Sequence, residues 1–149
     1  PQTVAQKIVA PFKVQEGEKL AKEGKYKEAV TAYQEAQKLD PNIKIEANSW
    51  NSLCWFGSLN KQAKEVLDAC ENAVKNAPND QSKAGYTDSR GLGRALTGNI
   101  EGAIKDFQVF VDSPDVSDES KNKRKQWIET LKKGENPFTD EVLEELKNE

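Results

Sequence analysis

The chain has 149 residues, a net charge of -3, 36% hydrophobic and 32% charged residues. That length suits one domain or one short array, and the modest hydrophobic share suits an elongated helical stack burying one face of each helix. The charge excludes the concentrated basic patch of a nucleic-acid binder, and no apolar run approaches the ~20 residues that span a bilayer.

In chain order, the opening PQTVAQKIVAPF lacks the basic start and apolar centre of a signal peptide. Thr3 and Gln6 are spaced as a capping box, predicting a helix or linker over residues 1–10 with Val4, Ile8 and Phe12 on its apolar side. Pro11 either kinks that helix or starts the next one. The first hairpin is expected over Pro11–Lys22 and Lys25–Leu39. Gly24 forms the turn, and Pro41 stops the second helix. In that helix Tyr26, Ala29, Val30, Tyr33 and Ala36 share one face, with the small residues suited to a closely packed neighbour. The second hairpin is expected over Ile45–Leu59 and Gln62–Asn76, the third over Lys83–Leu96 and Ile100–Val111. After Val111, Ser117 is spaced as the N-cap of a helix carrying Trp127, Ile128 and Leu131, which Gly134 ends. A last short helix follows Thr139, with Phe138 and Leu143 spaced as a hydrophobic staple and Val142, Leu143 and Leu146 as its stripe.

A 37-residue step carries Ala29 onto Val66 and Ala103, Tyr33 onto Cys70 and Phe107, and Gly17 onto Cys54 and Gly91. Gly24 falls on Lys61 and Gly98, and Pro41 on Pro78. Three in-phase copies signal a stacked repeat. With Trp50-x2-Leu53 and Pro78, Gly17 with Ala29-x3-Tyr33 and Pro41, and Gly91 with Ala103-x3-Phe107, the chain resembles the tetratricopeptide repeat. Glu16 and Arg90 stand where that pattern has leucine. The resemblance implies an all-α, right-handed solenoid of three helical hairpins, forming a single domain over 1–149. Its repeats would be 11–41, 45–78 and 83–114, with a capping helix pair over 117–149. ANSWNSLCWFGS, DSRGLGRALTGNIEGAIKDFQ and GENPFTDEVLEEL further resemble a segment near the C-terminus of large bacterial signalling proteins, especially cyanobacterial ones. Those chains can carry a caspase-like or β-propeller domain upstream. The chain has no methionine, so a piece of a longer chain or a processed product is expected.

Catalytic chemistry finds little support. There is no histidine, which removes Ser-His-Asp and Cys-His catalysis, and two cysteines are too few for an all-cysteine zinc site. Gly91-x-Gly93 lies in a predicted helix, and Leu96 stands where a third phosphate-loop glycine belongs. No catalytic residue, cofactor or metal is therefore expected. Asp140, Glu141, Glu144 and Glu145, and the basic run Lys121–Lys125, read as solvated helix faces. Cys54 and Cys70 fall on facing helices. They are either a redox pair or, as expected here, free buried thiols in a reducing, cytoplasmic setting.

The aromatic residues of the second repeat are the most suggestive. Trp50 matches the repeat's core tryptophan, whereas Trp55 is rotated from it by ~140° at ~100° per residue. In the repeat's geometry that side lines the concave groove, together with Val14, Glu18, Asn48, Asn51, Asp88 and Leu92. Trp55 either anchors a partner there or packs on a neighbouring repeat. Where some tetratricopeptide domains grip a terminal carboxylate with cations and asparagines, this chain has Val14, Glu18, Ser52, Gly85 and Ser89. A clamp for acidic C-termini is not available there. The expectation is a non-catalytic scaffold for a protein or peptide. The alternative is a regulatory or oligomerisation segment packed on an upstream enzymatic domain.

Overall fold

In the computed structural model, which describes residues 2–149, the described residues form eight α-helices and no strand. Pro1, part of the expected first segment, lies outside them. The helices are α1 (Val4–Lys22), α2 (Tyr26–Leu39), α3 (Ala47–Leu59), α4 (Ala63–Lys75), α5 (Asp80–Leu96), α6 (Ile100–Val111), α7 (Asp118–Lys132) and α8 (Asp140–Leu146).

Helix starts follow the sequence. Thr3, Asn79, Asn99, Ser117 and Thr139 each accept a hydrogen bond from the backbone N–H three residues on, which satisfies a donor the helix cannot. The Asn79 cap starts α5 three residues before the expected Lys83. Gln6 returns the bond to Thr3, completing the capping box.

Four helix ends, those of α1, α3, α5 and α7, share one device. Gly24, Lys61, Gly98 and Gly134 have positive φ of 78°, 64°, 90° and 78°. The next residue's N–H reaches back to the carbonyls of Leu20, Gly57, Arg94 and Thr130 respectively. This is the Schellman turn, and it favours glycine. Lys61 adopts the same backbone with a side chain, at a cost of ~1 kcal/mol.

Of the two alternatives for Pro11, the start of a new helix is not realised: α1 runs through it. Proline leaves the Lys7 carbonyl without its helical donor, but packing outweighs the loss. Ala10 is fully buried, and the Gln2 amide donates to the Leu39 carbonyl at 2.6 Å, fastening the start of α1 to the end of α2.

Helices pair as antiparallel hairpins, α1 with α2, α3 with α4 and α5 with α6, and each hairpin contacts the next. The fold is an all-α helical-hairpin solenoid. The first helices α1, α3 and α5 touch in a continuous row, whereas α2, α4 and α6 do not touch one another. A stack closed on one side and spread on the other is concave on the closed side, so α1, α3 and α5 form the concave face.

Inside each hairpin, one contact decides how closely the helices approach. A Cβ on Gly17 would sit 2.4 Å from the Tyr33 ring, and one on Gly91 would sit 2.9 Å from the Phe107 ring. Here glycine is needed for space. In the middle hairpin the equivalent residues, Cys54 and Cys70, are joined by a disulfide with Cα atoms 4.8 Å apart. The expectation of free thiols is therefore corrected: neither cysteine is free. Two small side chains span the distance that an aromatic ring bridges elsewhere, and their Cα separation is within bonding reach.

Outside the core, Arg90 grips Asp106 at 3.0 and 2.9 Å, Arg94 reaches the same carboxylate at 3.1 Å, and both meet Glu71. This ties α4, α5 and α6 together. Trp50, expected in the core, is half-buried with its ring edge-on to Tyr33 at 5.7 Å.

The tail closes the array in two ways. α7 packs on α6, where Trp127 meets Phe107 at 5.3 Å and Phe138 at 4.9 Å. α8 instead turns back and packs on α3.

Candidate functional site: the concave face

The seven residues expected to line the concave face divide into two groups. Val14 and Glu18 on α1, and Asn48, Asn51 and Trp55 on α3, keep some exposure. Asp88 and Leu92 on α5 are buried, Leu92 completely. These two are not surface contacts in this structure, and the reason is the tail.

At the α1–α3 end the surface is polar and partly ordered from within. The buried Ser49 hydroxyl donates to the Glu18 carboxylate, so Glu18 is positioned rather than free. The Ser49 carbonyl accepts from the Tyr33 hydroxyl at 3.1 Å. Burial pushes the Tyr33 hydroxyl well above its ordinary pKa, and the Glu18 charge pushes it the same way. Asn48 is exposed one helical turn before Asn51, whose buried carboxamide oxygen accepts no hydrogen bond from the described residues. Buried polar atoms are usually paired, so this acceptor is an exception, and it is closed to solvent.

At the α5–α7 end Asp88 has its partner already. Arg124 donates to both of its oxygens, at 3.1 and 2.8 Å. The guanidinium also lies 4.7 Å from the Phe110 ring and 4.6 Å from the Trp127 ring. Burial raises the Asp88 carboxyl above its ordinary pKa, with Arg124 opposing it. Burial also acts against the Arg124 charge, but its bonds to Asp88 and Glu149 prevail and raise its pKa. The expectation that Lys121–Lys125 forms a solvated face is corrected at Arg124, which is 3% exposed.

Between these ends lies α8. Leu59, Leu92, Trp127, Phe138, Leu143 and Leu146 share one buried cluster, and Trp55 packs against it from the side. Of the two alternatives for Trp55, packing on neighbouring parts of the fold is realised, although the residue stays partly exposed. Lys61 meets Asp140 at 2.9 Å, and Glu149 meets Arg124 at 3.0 Å and Lys123 at 3.1 Å. Burial raises the Glu149 carboxyl, but the two cations outweigh it and hold the group below its ordinary pKa. A cleft of about 690 Å³, lined in part by Ser58, Leu67, Leu96, Phe138 and Leu143, runs beside α8.

The sequence reading missed Arg124, Lys61 and the docking of α8. One signal was present: Asp140, Leu143, Leu146 and Glu149 recur every three residues, with charge outside and leucine inside. No helix among the described residues is long and apolar enough to cross a membrane, and none of their His, Cys, Asp and Glu side chains form a group placed to hold a metal ion.

Residues 12–43 match the tetratricopeptide repeat model. The match covers the latter part of α1 and all of α2, and supports a tetratricopeptide repeat over those residues. No curated protein and no solved structure matches the chain significantly. Such repeats build extended concave binding surfaces.

Proposed function

We propose that the chain is a non-catalytic protein-interaction scaffold that takes a peptide or protein segment on its concave face, as one part of a larger signalling protein. The observation that carries this is the partly exposed Trp55 on the row formed by α1 and α3, beside the exposed Asn48 and the positioned Glu18. Polar side chains next to an aromatic anchor suit an extended segment held by its backbone N–H groups and one apolar side chain. Val14 adds apolar surface at the α1 side. The signalling context rests on the resemblance of three sequence stretches to bacterial proteins of that kind. No cation stands where a carboxylate clamp would need one, so an acidic C-terminus is not the ligand of this strip. No cofactor, metal or nucleic acid enters the reading.

A peptide array probed with the intact chain tests this. Asn48→Leu should weaken the peptides selected by about tenfold, the value of one hydrogen bond of about 1.4 kcal/mol. Affinity unchanged in every selected peptide sinks the reading.

A second reading is favoured by a different observation. Val4, Ile8 and Phe12 form an apolar stripe along α1, 76%, 60% and 62% exposed. That stripe suits a segment packed against an enzymatic domain upstream in the same chain. Size-exclusion with and without that domain separates the two readings.

The cytoplasmic placement loses its ground, because it rested on free thiols. A buried Cys54–Cys70 disulfide fits an oxidising compartment.

A further inference from the structure

We infer that the open cleft between α4, the end of α5 and the Phe138–Leu143 segment is a binding site for a medium-chain fatty acid, one apolar chain ending in a carboxylate. The inference goes beyond the scaffold reading, because Val14, Glu18, Asn48, Asn51 and Trp55 do not line this cleft. Its volume of about 690 Å³ lies within the range of about 300–1,000 Å³ usual for small-molecule sites. The tail stays where it is packed and supplies one wall.

The polar side of the cleft suits an anion. Ala63 and Lys64, which line it, belong to the first turn of α4. No side chain caps that turn: Gln62 stands at the N-cap, but its side-chain oxygen is buried and makes no hydrogen bond. The backbone N–H groups of a helix start, and its dipole, favour negative charge. Lys61 and Lys64 add two cations, against Asp140 as the one anion in the lining. Lys61 offsets Asp140 at 2.9 Å, whereas Lys64 makes no ion pair among the described residues. The fully buried Ser58 is also part of the lining, and its hydroxyl has no hydrogen-bond partner among the described residues.

The other walls are Leu67, Leu96, Phe138 and Leu143. Phe138 and Leu143 are held in the buried cluster, so this apolar surface is fixed before a ligand arrives. An inorganic anion would leave the leucines bare, and an alkane would leave the cations and the helix start unused. A chain with a carboxylate at one end uses both.

Calorimetric titration of the full chain tests this with sodium octanoate, decanoate and dodecanoate below micelle-forming concentrations, and with decanol and acetate as controls. Decanoate should bind one per chain. Affinity should rise along the series by up to about fourfold per methylene, the value of burying each one. Decanol, which lacks the charge, should bind about tenfold more weakly or worse, and acetate should give no binding heat. Lys64→Glu, at an exposed position, should weaken decanoate about fivefold or more with the circular dichroism signal kept. Lys75→Glu, at the far end of α4, should leave it unchanged. No saturable decanoate binding, decanol binding as tightly as decanoate, or equal losses in Lys64→Glu and Lys75→Glu each overturn the inference. Tighter binding of the peptide acetyl-GALL, with its free C-terminal carboxylate, assigns the cleft to a protein end and also overturns it. Each failure leaves the Asn48 array result standing, so the two readings fail separately.

Discussion

Cys54 and Cys70, sixteen residues apart, are bonded across α3 and α4 at the positions where the neighbouring hairpins set Gly17 against Tyr33 and Gly91 against Phe107. The same inter-helix gap is thus bridged by a ring on a glycine at both ends of the stack and covalently in the middle.

Thiol titration should find no free thiol in the native chain, and none after unfolding until a reductant is added. Reduction should cost about 3 kcal/mol, the entropy of releasing a loop of that length. Cys54→Gly with Cys70→Phe reinstates the neighbours' solution and should be more stable than the double alanine variant by about 1 kcal/mol or more. Titration of two thiols in the unfolded, unreduced protein would contradict the disulfide.

Gly17→Ala should destabilise by about 1–3 kcal/mol, because a Cβ cannot share space with the Tyr33 ring. Gly98→Ala meets no atom, so its cost is confined to the backbone of a turn at φ 90°. Urea midpoints of the two variants, with Gly17→Ala combined with Tyr33→Leu, check the cause. If the leucine fails to relieve Gly17→Ala, the clash is not the reason.

Tyr33 predicts an alkaline limit. Its hydroxyl is raised in the fold, so the stabilisation is complete below the unfolded value of about 10 and falls as pH climbs above it. Absorbance at 295 nm should show Tyr33 ionising only as the chain unfolds. Tyr33→Phe loses about 1 kcal/mol near neutrality through the Ser49 carbonyl, yet should flatten this decline. An equally steep alkaline loss in Tyr33→Phe would place the cause elsewhere.

Arg124→Leu should destabilise by about 3–5 kcal/mol, because Asp88 would remain buried without its partner. Asp88→Asn in the same chain should recover part of that loss, as measured by thermal melting. No recovery would mean that Arg124 acts through its stacking on Phe110 and Trp127 instead.

Much of the architecture was legible because it depends on local signals. The 37-residue recurrence of the turn at Gly24, Lys61 and Gly98 sets the helix ends, and the caps at Ser117 and Thr139 set the tail helices. The all-helical hairpin stack followed from them. Pro11 left a kink and a helix start equally open, and long-range packing of Ala10 is what carries α1 through it. The disulfide could be missed because small buried cysteines and a bonded pair leave the same trace in sequence. Asp88 and Leu92 were placed on the concave side, but the return of α8 covers that end of the face, and no local pattern encodes where a tail folds back. Arg124 was hidden in a run of lysines that share its charge but not its burial.

The most direct test is a calorimetric titration of an array-selected peptide into the intact chain and into Trp55→Ala, with circular dichroism on both. The account predicts that Trp55→Ala weakens binding by about 2 kcal/mol or more while the helical signal is kept. Unchanged affinity in a folded Trp55→Ala chain would contradict it and move the binding surface to the convex side or the tail.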